Sequence, residues 1–196
     1  STINLNVNLP SGDTGPSGTG DPRTVTIEYF DNIGGAQTLT VTFTPTPATP
    51  RSNEWTMEVT DQASGTSLGT GTLTFNDTDA SRQGGIDSFT GALAGDWDAA
   101  TGNLSLNLGN QTIAMNMGST DPALANRLTQ TTSTFNPAGV THDGNAAGTY
   151  TGLSIDDNGM LSATYSTGFT RVIYQVPVVD VPNPAGLTVL DNQCFA

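Results

Sequence analysis

Lysine is absent from this chain of 196 residues; five arginines face 18 acidic residues, for a formal net charge of -13. Such a balance gives no electrostatic basis for holding a phosphate backbone or an anionic lipid surface, so nucleic acid and membrane are not expected as partners. Cysteine occurs once, as Cys194. No intramolecular disulfide can form, and Cys194 reads as an inert thiol. Histidine also occurs once, as His142, and a zinc site would have to lean on carboxylates, so no metal and no cofactor is assigned. Long apolar runs are missing: nothing approaches the roughly 20 residues of a membrane span. No basic segment followed by an apolar core opens the chain, so no cleaved signal peptide is expected. With its start at Ser1 and its end at Ala196, the chain reads as a piece excised from a longer protein.

Glycine, threonine and period-two patterning are abundant instead. Thr38-Leu39-Thr40-Val41-Thr42-Phe43 and Asn103-Leu104-Ser105-Leu106-Asn107-Leu108 alternate apolar with polar side chains, the mark of half-buried antiparallel strands. Helical spacing is confined to Asp121 to Leu128, where Pro122 follows an acidic cap, and one or two turns are expected there. The fold class is therefore all-β, with two antiparallel sandwich- or barrel-like domains. Pro10 to Pro22 and Gly139 to Gly148 have the composition of linkers. Ile3 to Leu9 alternates but has no sequence-adjacent partner. We expect residues 1–21 and 146–196 to form one discontinuous domain, with residues 22–145 inserted as the other.

Several groupings invite a chemical reading, and each has a simpler one. Asp96 and Asp98 flank Trp97 at the spacing that places two carboxylates on one strand face, about 6–7 Å apart, within the range of a glycosidase pair. Turn formers surround them, and 15 aspartates make such pairs common. His142 lies next to Asp143, but no Gly-x-Ser-x-Gly nucleophile elbow accompanies it. Asn76 to Asp79 and Asp156 to Gly159 are Asp-rich without the calcium-loop pattern, so turns explain them. Asn76, Asn103 and Asn110 match a glycosylation acceptor pattern that is too short to be informative here. Trp55 and Trp97 read as core anchors. No residue is assigned to catalysis, and the chain is not expected to be an enzyme.

The stretch from Gly148 to Leu187 is more specific. It spells a strand Tyr150 to Ile155, an Asp156-Asp157-Asn158-Gly159 reversal with positive φ angles at Asn-Gly, a strand Leu161 to Tyr165, a reversal at Ser166-Thr167-Gly168, and a strand Phe169 to Val176. Together with the Pro182-Asn183-Pro184-Ala185-Gly186-Leu187 exit, it closely resembles the C-terminal half of bacterial flagellar hook proteins. Ile27 to Phe43 and Asn53 to Val59 are similar to a strand, hairpin and Trp-containing strand of the same family, with Gln37 where the family commonly has His. Ile3 to Leu9 is similar to the short strand that precedes them. The resemblance implies a structural subunit of the hook, exported through the flagellar type III apparatus to the cell exterior. It also implies a homopolymer that meets the hook cap, the rod and the hook–filament junction proteins, and that passes torque as a flexible joint. The isolated chain is expected to be monomeric, and the subunit interface has no residue assigned. The rival reading is a carbohydrate-binding or adhesin-like extracellular β-sandwich.

Overall fold

The computed structural model describes residues 1–109, 111–121, 127–177, 186 and 188, and its regular elements there are strands and short 3-10 turns. It divides into two compact units, residues 1–146 and 147–196.

The first unit opens with β1 (Thr2–Asn4) and β2 (Val7–Pro10), cut from one alternating run whose apolar members Ile3, Leu5, Val7 and Leu9 are at most 2% exposed. A 3-10 turn, Ser11–Thr14, leads on to β3 (Arg23–Phe30), β4 (Ala36–Pro45), β5 (Glu54–Asp61), β6 (Thr66–Phe75) and β7 (Ile86–Gly91). These five strands form an antiparallel meander in sequence order. Its apolar alternation puts Leu39, Val41 and Phe43, and Trp55, Met57 and Val59, wholly inside, while the threonines between them stay at the other face. A second 3-10 turn, Ala92–Asp96, leads to β8 (Trp97–Asp98), β9 (Asn103–Asn107), β10 (Thr112–Asn116), β11 (Leu128–Thr131) and β12 (Thr141–His142). Here β1 lies between β10, to which it is parallel, and β12, to which it is antiparallel; β2 pairs in parallel with β11. Inward residues of the meander and of these strands merge into one hydrophobic core. Gly71 shows how closely it is packed: a Cβ there would come within 2.3 Å of the Phe89 ring.

The second unit contains an antiparallel sheet of β13 (Tyr150–Ile155), β14 (Met160–Tyr165) and β15 (Thr170–Gln175), the strands expected from the sequence. Its two hairpins and the β3–β4 hairpin share one turn. In each, an i+3 glycine with φ near +80° bonds back to residue i: Gly34 to Asp31, Gly159 to Asp156 and Gly168 to Tyr165, at 2.9 Å each. This is a tight turn closed by a left-handed glycine. Positive φ falls on Gly159 and not also on Asn158, so the primed turn expected at Asn-Gly gives way to the bulged one.

The division of the chain differs from the expected insertion. Residues 1–21 belong with 22–146, because Ile3 pairs with Met115 and His142, and Val7 to Pro10 pair with Leu128 to Thr131. Nor is Pro10 to Pro22 a free linker. Ser11 and Thr14 are buried, the Thr14 carbonyl accepts the Ala48 and Ser52 amides, and Arg23 pairs with Asp13 at 2.8 Å. A Gly/Pro/Ser composition fits a docked turn as well as a tether, and here backbone bonds settle which it is. The helix expected at Asp121 to Leu128 falls largely on residues 122–126, outside the described residues, and Leu128 itself starts β11.

Candidate functional site

Each Asp-rich grouping proves to be occupied by its own turn. Asp31 Oδ1 accepts the amides of Ile33 and Gly35 at 3.0 and 2.8 Å, and Asp156 Oδ1 accepts those of Asn158 and Met160 at the same two distances. The Gly35 amide is foremost in holding the Asp31 carboxyl below its ordinary pKa, against a smaller desolvation. Asn76 Oδ1 accepts the amides of Thr78 and Asp79, and Asp79 takes the Ser81 hydroxyl and amide, which lower its pKa with help from Arg82. Among the described residues no group of three or more potential ligands converges on a metal position.

The candidate acid pair does not share a strand face. Asp96 ends a 3-10 turn, and Asp98, at the end of β8, holds the turn to β9 by accepting the Thr101 hydroxyl at 2.8 Å and the Ala100 amide at 2.9 Å. Both bonds lower the Asp98 pKa, the opposite of what a general acid requires. Trp97 between them packs edge-on against Phe89, ring centroids 5.8 Å apart. His142 is exposed on β12, its ring 5.8 Å from that of Phe30, while the Asp143 carboxylate accepts the Thr2 amide at 2.6 Å. Among the described residues no acid is hydrogen-bonded to the imidazole. Trp55 is fully buried, the anchor its sequence context suggested. Cys194 and Asn110 lie outside the described residues.

Two buried polar groupings escaped the sequence. Gln130 Nε2 donates to Thr14 Oγ1 and to Asn53 Oδ1, both at 3.1 Å, and Asn53 Nδ2 donates in turn to Asp77 Oδ2 at 2.7 Å. These residues tie the first 3-10 turn, the start of β5 and β11 together. They are 116 and 77 residues apart along the chain, so no local signal marks them.

The second grouping is Tyr29, whose hydroxyl donates to Asp61 Oδ1 at 3.0 Å at the end of the meander. Burial, the bond to Asp61 and the charges of Asp61 and Asp31 push the phenol up to about 12. Burial acts to raise Asp61 too, but the hydroxyls of Ser64 and Tyr29 and the amides of Ala63 and Ser64 outweigh it and leave the carboxyl below its ordinary value.

Both groups link folding stability to pH. Tyr29 contributes stability fully below its unfolded pKa of about 10, and that contribution is lost as pH rises through about 12. Asp61 contributes above about pH 3.9 and loses its share as pH falls through its lowered folded value. Tyr29→Phe should therefore flatten the alkaline limb of a urea-denaturation series against pH and move the acid limb upward. Ultraviolet titration should lose its latest-ionising phenol.

The second unit presents a different surface. Directly paired residues share a face, so Tyr150 lies with Tyr165, Leu153 with Ala163, and Ile155 with Leu161 and Tyr174. Only Ala163 of this apolar set is buried; Tyr150 and Ile155 are 58% exposed and Tyr174 69%. Among the described residues no nucleophile is brought together with a base. What both units offer is surface: polar Thr-rich strand faces on the first and, on the second, a sheet face of exposed apolar side chains that Arg171 shares opposite Ala163.

That character agrees with what the chain is similar to. A family model described as the flagellar basal body protein FlaE D2 domain matches residues 5–145. The chain belongs to this family. Its D2 match begins inside the β1–β2 run, in accord with the placement of that run in the first unit. Flagellar hook proteins FlgE of Brucella abortus biovar 1 and Brucella suis biovar 1 are each 29% identical over 192 residues, 96% of this chain and 41% of theirs. The hook protein FlgE of Rhizobium meliloti is 28% identical over 182 residues, 92% of this chain and 40% of its own length. The chain thus spans about two-fifths of these relatives. A crystal structure of the Helicobacter pylori flagellar hook protein FlgE2 aligns with 89% of this chain and 36% of that one, at 13% identity and a TM-score of 0.44.

Proposed function

We infer that this chain is the outer β portion of a flagellar hook subunit, a mechanical part and not an enzyme. The observation that carries this reading is the family match over residues 5–145, extended by hook proteins that align along 96% of the chain. In that role the whole subunit polymerises outside the cell into a tube that transmits torque while it bends, and it meets cap, rod and junction proteins at its ends. Two separately compact units suit such a part, since each can hold its shape while the tube flexes. The polar faces of the meander suit contacts that form and slide, because modest polar interfaces behave as transient ones. The apolar sheet of the second unit suits burial within a longer subunit.

A chimera tests this. The aligned stretch of the Rhizobium meliloti hook protein is replaced by this chain in a strain lacking its own hook protein, and hooks are sought by electron microscopy. Hooks and swimming cells are expected. An exported, folded chimera that never yields a hook overturns the reading.

A further inference from the structure

The β3–β4 hairpin is closed by the bond from the Asp31 amide to the Gly35 carbonyl, at 2.9 Å. In an antiparallel ladder, residues alternate between pairing across and pointing away. Counting back in register from Asp31, Tyr29, Ile27, Val25 and Arg23 spend their backbone groups on β4. Glu28, Thr26 and Thr24 turn theirs outward. The partner strand agrees: Thr38, opposite Glu28, directs its carbonyl to Gln62 on the other side, at 2.9 Å. Since β3 pairs with β4 alone, the outward N–H and C=O groups of Thr24, Thr26 and Glu28 have no protein partner among the described residues.

Those groups open on a groove of about 290 Å³, with the edge of β3 from Thr24 to Glu28 as one wall and Pro137, Val140 and His142 as the other. Between Thr24 and Glu28 the one charged guard against a further strand is Glu28. There is no lysine, no proline, and the register runs unbroken from Arg23 to Phe30. The opposite edge of the same sheet, β7, is shorter and joins β6 through a bulge.

We propose that the free edge of β3 is a strand-addition site that accepts an extended peptide of alternating aliphatic and basic side chains. The backbone groups call for another strand, since only a strand presents donors and acceptors at the same spacing. From Thr24 to Glu28 the edge runs about 13 Å, so four or five residues fill it. Guest side chains on the inner side meet Val140, which packs against the core, and should be aliphatic. Those on the outer side lie with Thr24, Thr26 and Glu28, and a cation there answers Glu28 and the net charge of -13. This site does not depend on the assembly role: hooks could form without it, and its failure would leave that role intact.

The test titrates the ¹⁵N-labelled chain with acetyl-Thr-Val-Lys-Val-Thr-amide, watched by NMR. Shifts and slowed hydrogen exchange are expected at the amides of Thr24, Thr26 and Glu28, with the exchange of Val25 and Ile27 unchanged. The same peptide N-methylated at alternate residues should do nothing. Thr26→Pro removes an outward N–H that serves no ladder bond, a position where an edge strand tolerates proline, and should weaken binding at least tenfold. If that variant does not fold, Val140→Lys puts a charge of the guest's own sign on the apolar wall and should have the same effect. Edge amides unmoved at millimolar peptide overturn the proposal, as does equal binding by the N-methylated peptide or by a folded variant.

Discussion

Replacing Trp55 by alanine should lower the melting temperature of the first unit by about 10 °C, a loss of about 3–5 kcal/mol at roughly 2–4 °C per kcal/mol. Trp55 is fully buried on β5, the middle strand of the meander, in register with Pro45 on one side and Leu73 on the other. Truncation there leaves a cavity that β-sheet neighbours, held by ladders on both edges, cannot collapse to fill. The indole N–H has no partner among the described residues, so the residue is held by packing and not by a hydrogen bond. Trp55→Phe should consequently retain most of the stability that Trp55→Ala loses. Both tryptophans lie in the first unit, so fluorescence of the remaining Trp97 reports its unfolding alone. A melting temperature within about 2 °C of the parent for Trp55→Ala would mean that the core does not rest on this strand.

Strand-level structure was legible because its signals are local. Alternation at Thr38 to Phe43 and Asn103 to Asn107, and the turn residues at Asp156 to Gly159 and Ser166 to Gly168, involve neighbours a few positions apart. The second unit was read strand for strand for that reason. What pairs with what across long separations was not legible. The alternation of Ile3, Leu5, Val7 and Leu9 announces a strand buried on one face, and it carries no information on whether the cover is residue 115 or residue 165. Parallel pairing with β10 and β11 sharpened the problem, since no hairpin turn joins the partners. The Tyr29–Asp61 and Gln130–Asn53 contacts were hidden in the same way: each side chain is ordinary in its own neighbourhood, and only the fold sets them side by side.

The N-terminal strand gives the second large effect. Deleting residues 1–10 should abolish the cooperative unfolding transition of the first unit. The deletion removes Ile3, Leu5, Val7 and Leu9, each at most 2% exposed. At about 1.5–3 kcal/mol for each buried side chain, the loss is roughly 6–12 kcal/mol, comparable to the whole stability of a domain at about 5–15 kcal/mol. Geometry adds to the deficit, because β1 is an interior strand of its sheet: without it β10 and β12 lose their common neighbour, and β11 loses β2. Near-ultraviolet circular dichroism and tryptophan fluorescence should both report a chain without fixed packing, and a synthetic peptide of residues 1–10 should restore the native signals when added in excess. Residues 22–145 produced alone and melting cooperatively near the temperature of the parent would show the opposite: that the meander and its partner sheet close their core without this strand, and that Ile3 to Leu9 is held for some other purpose.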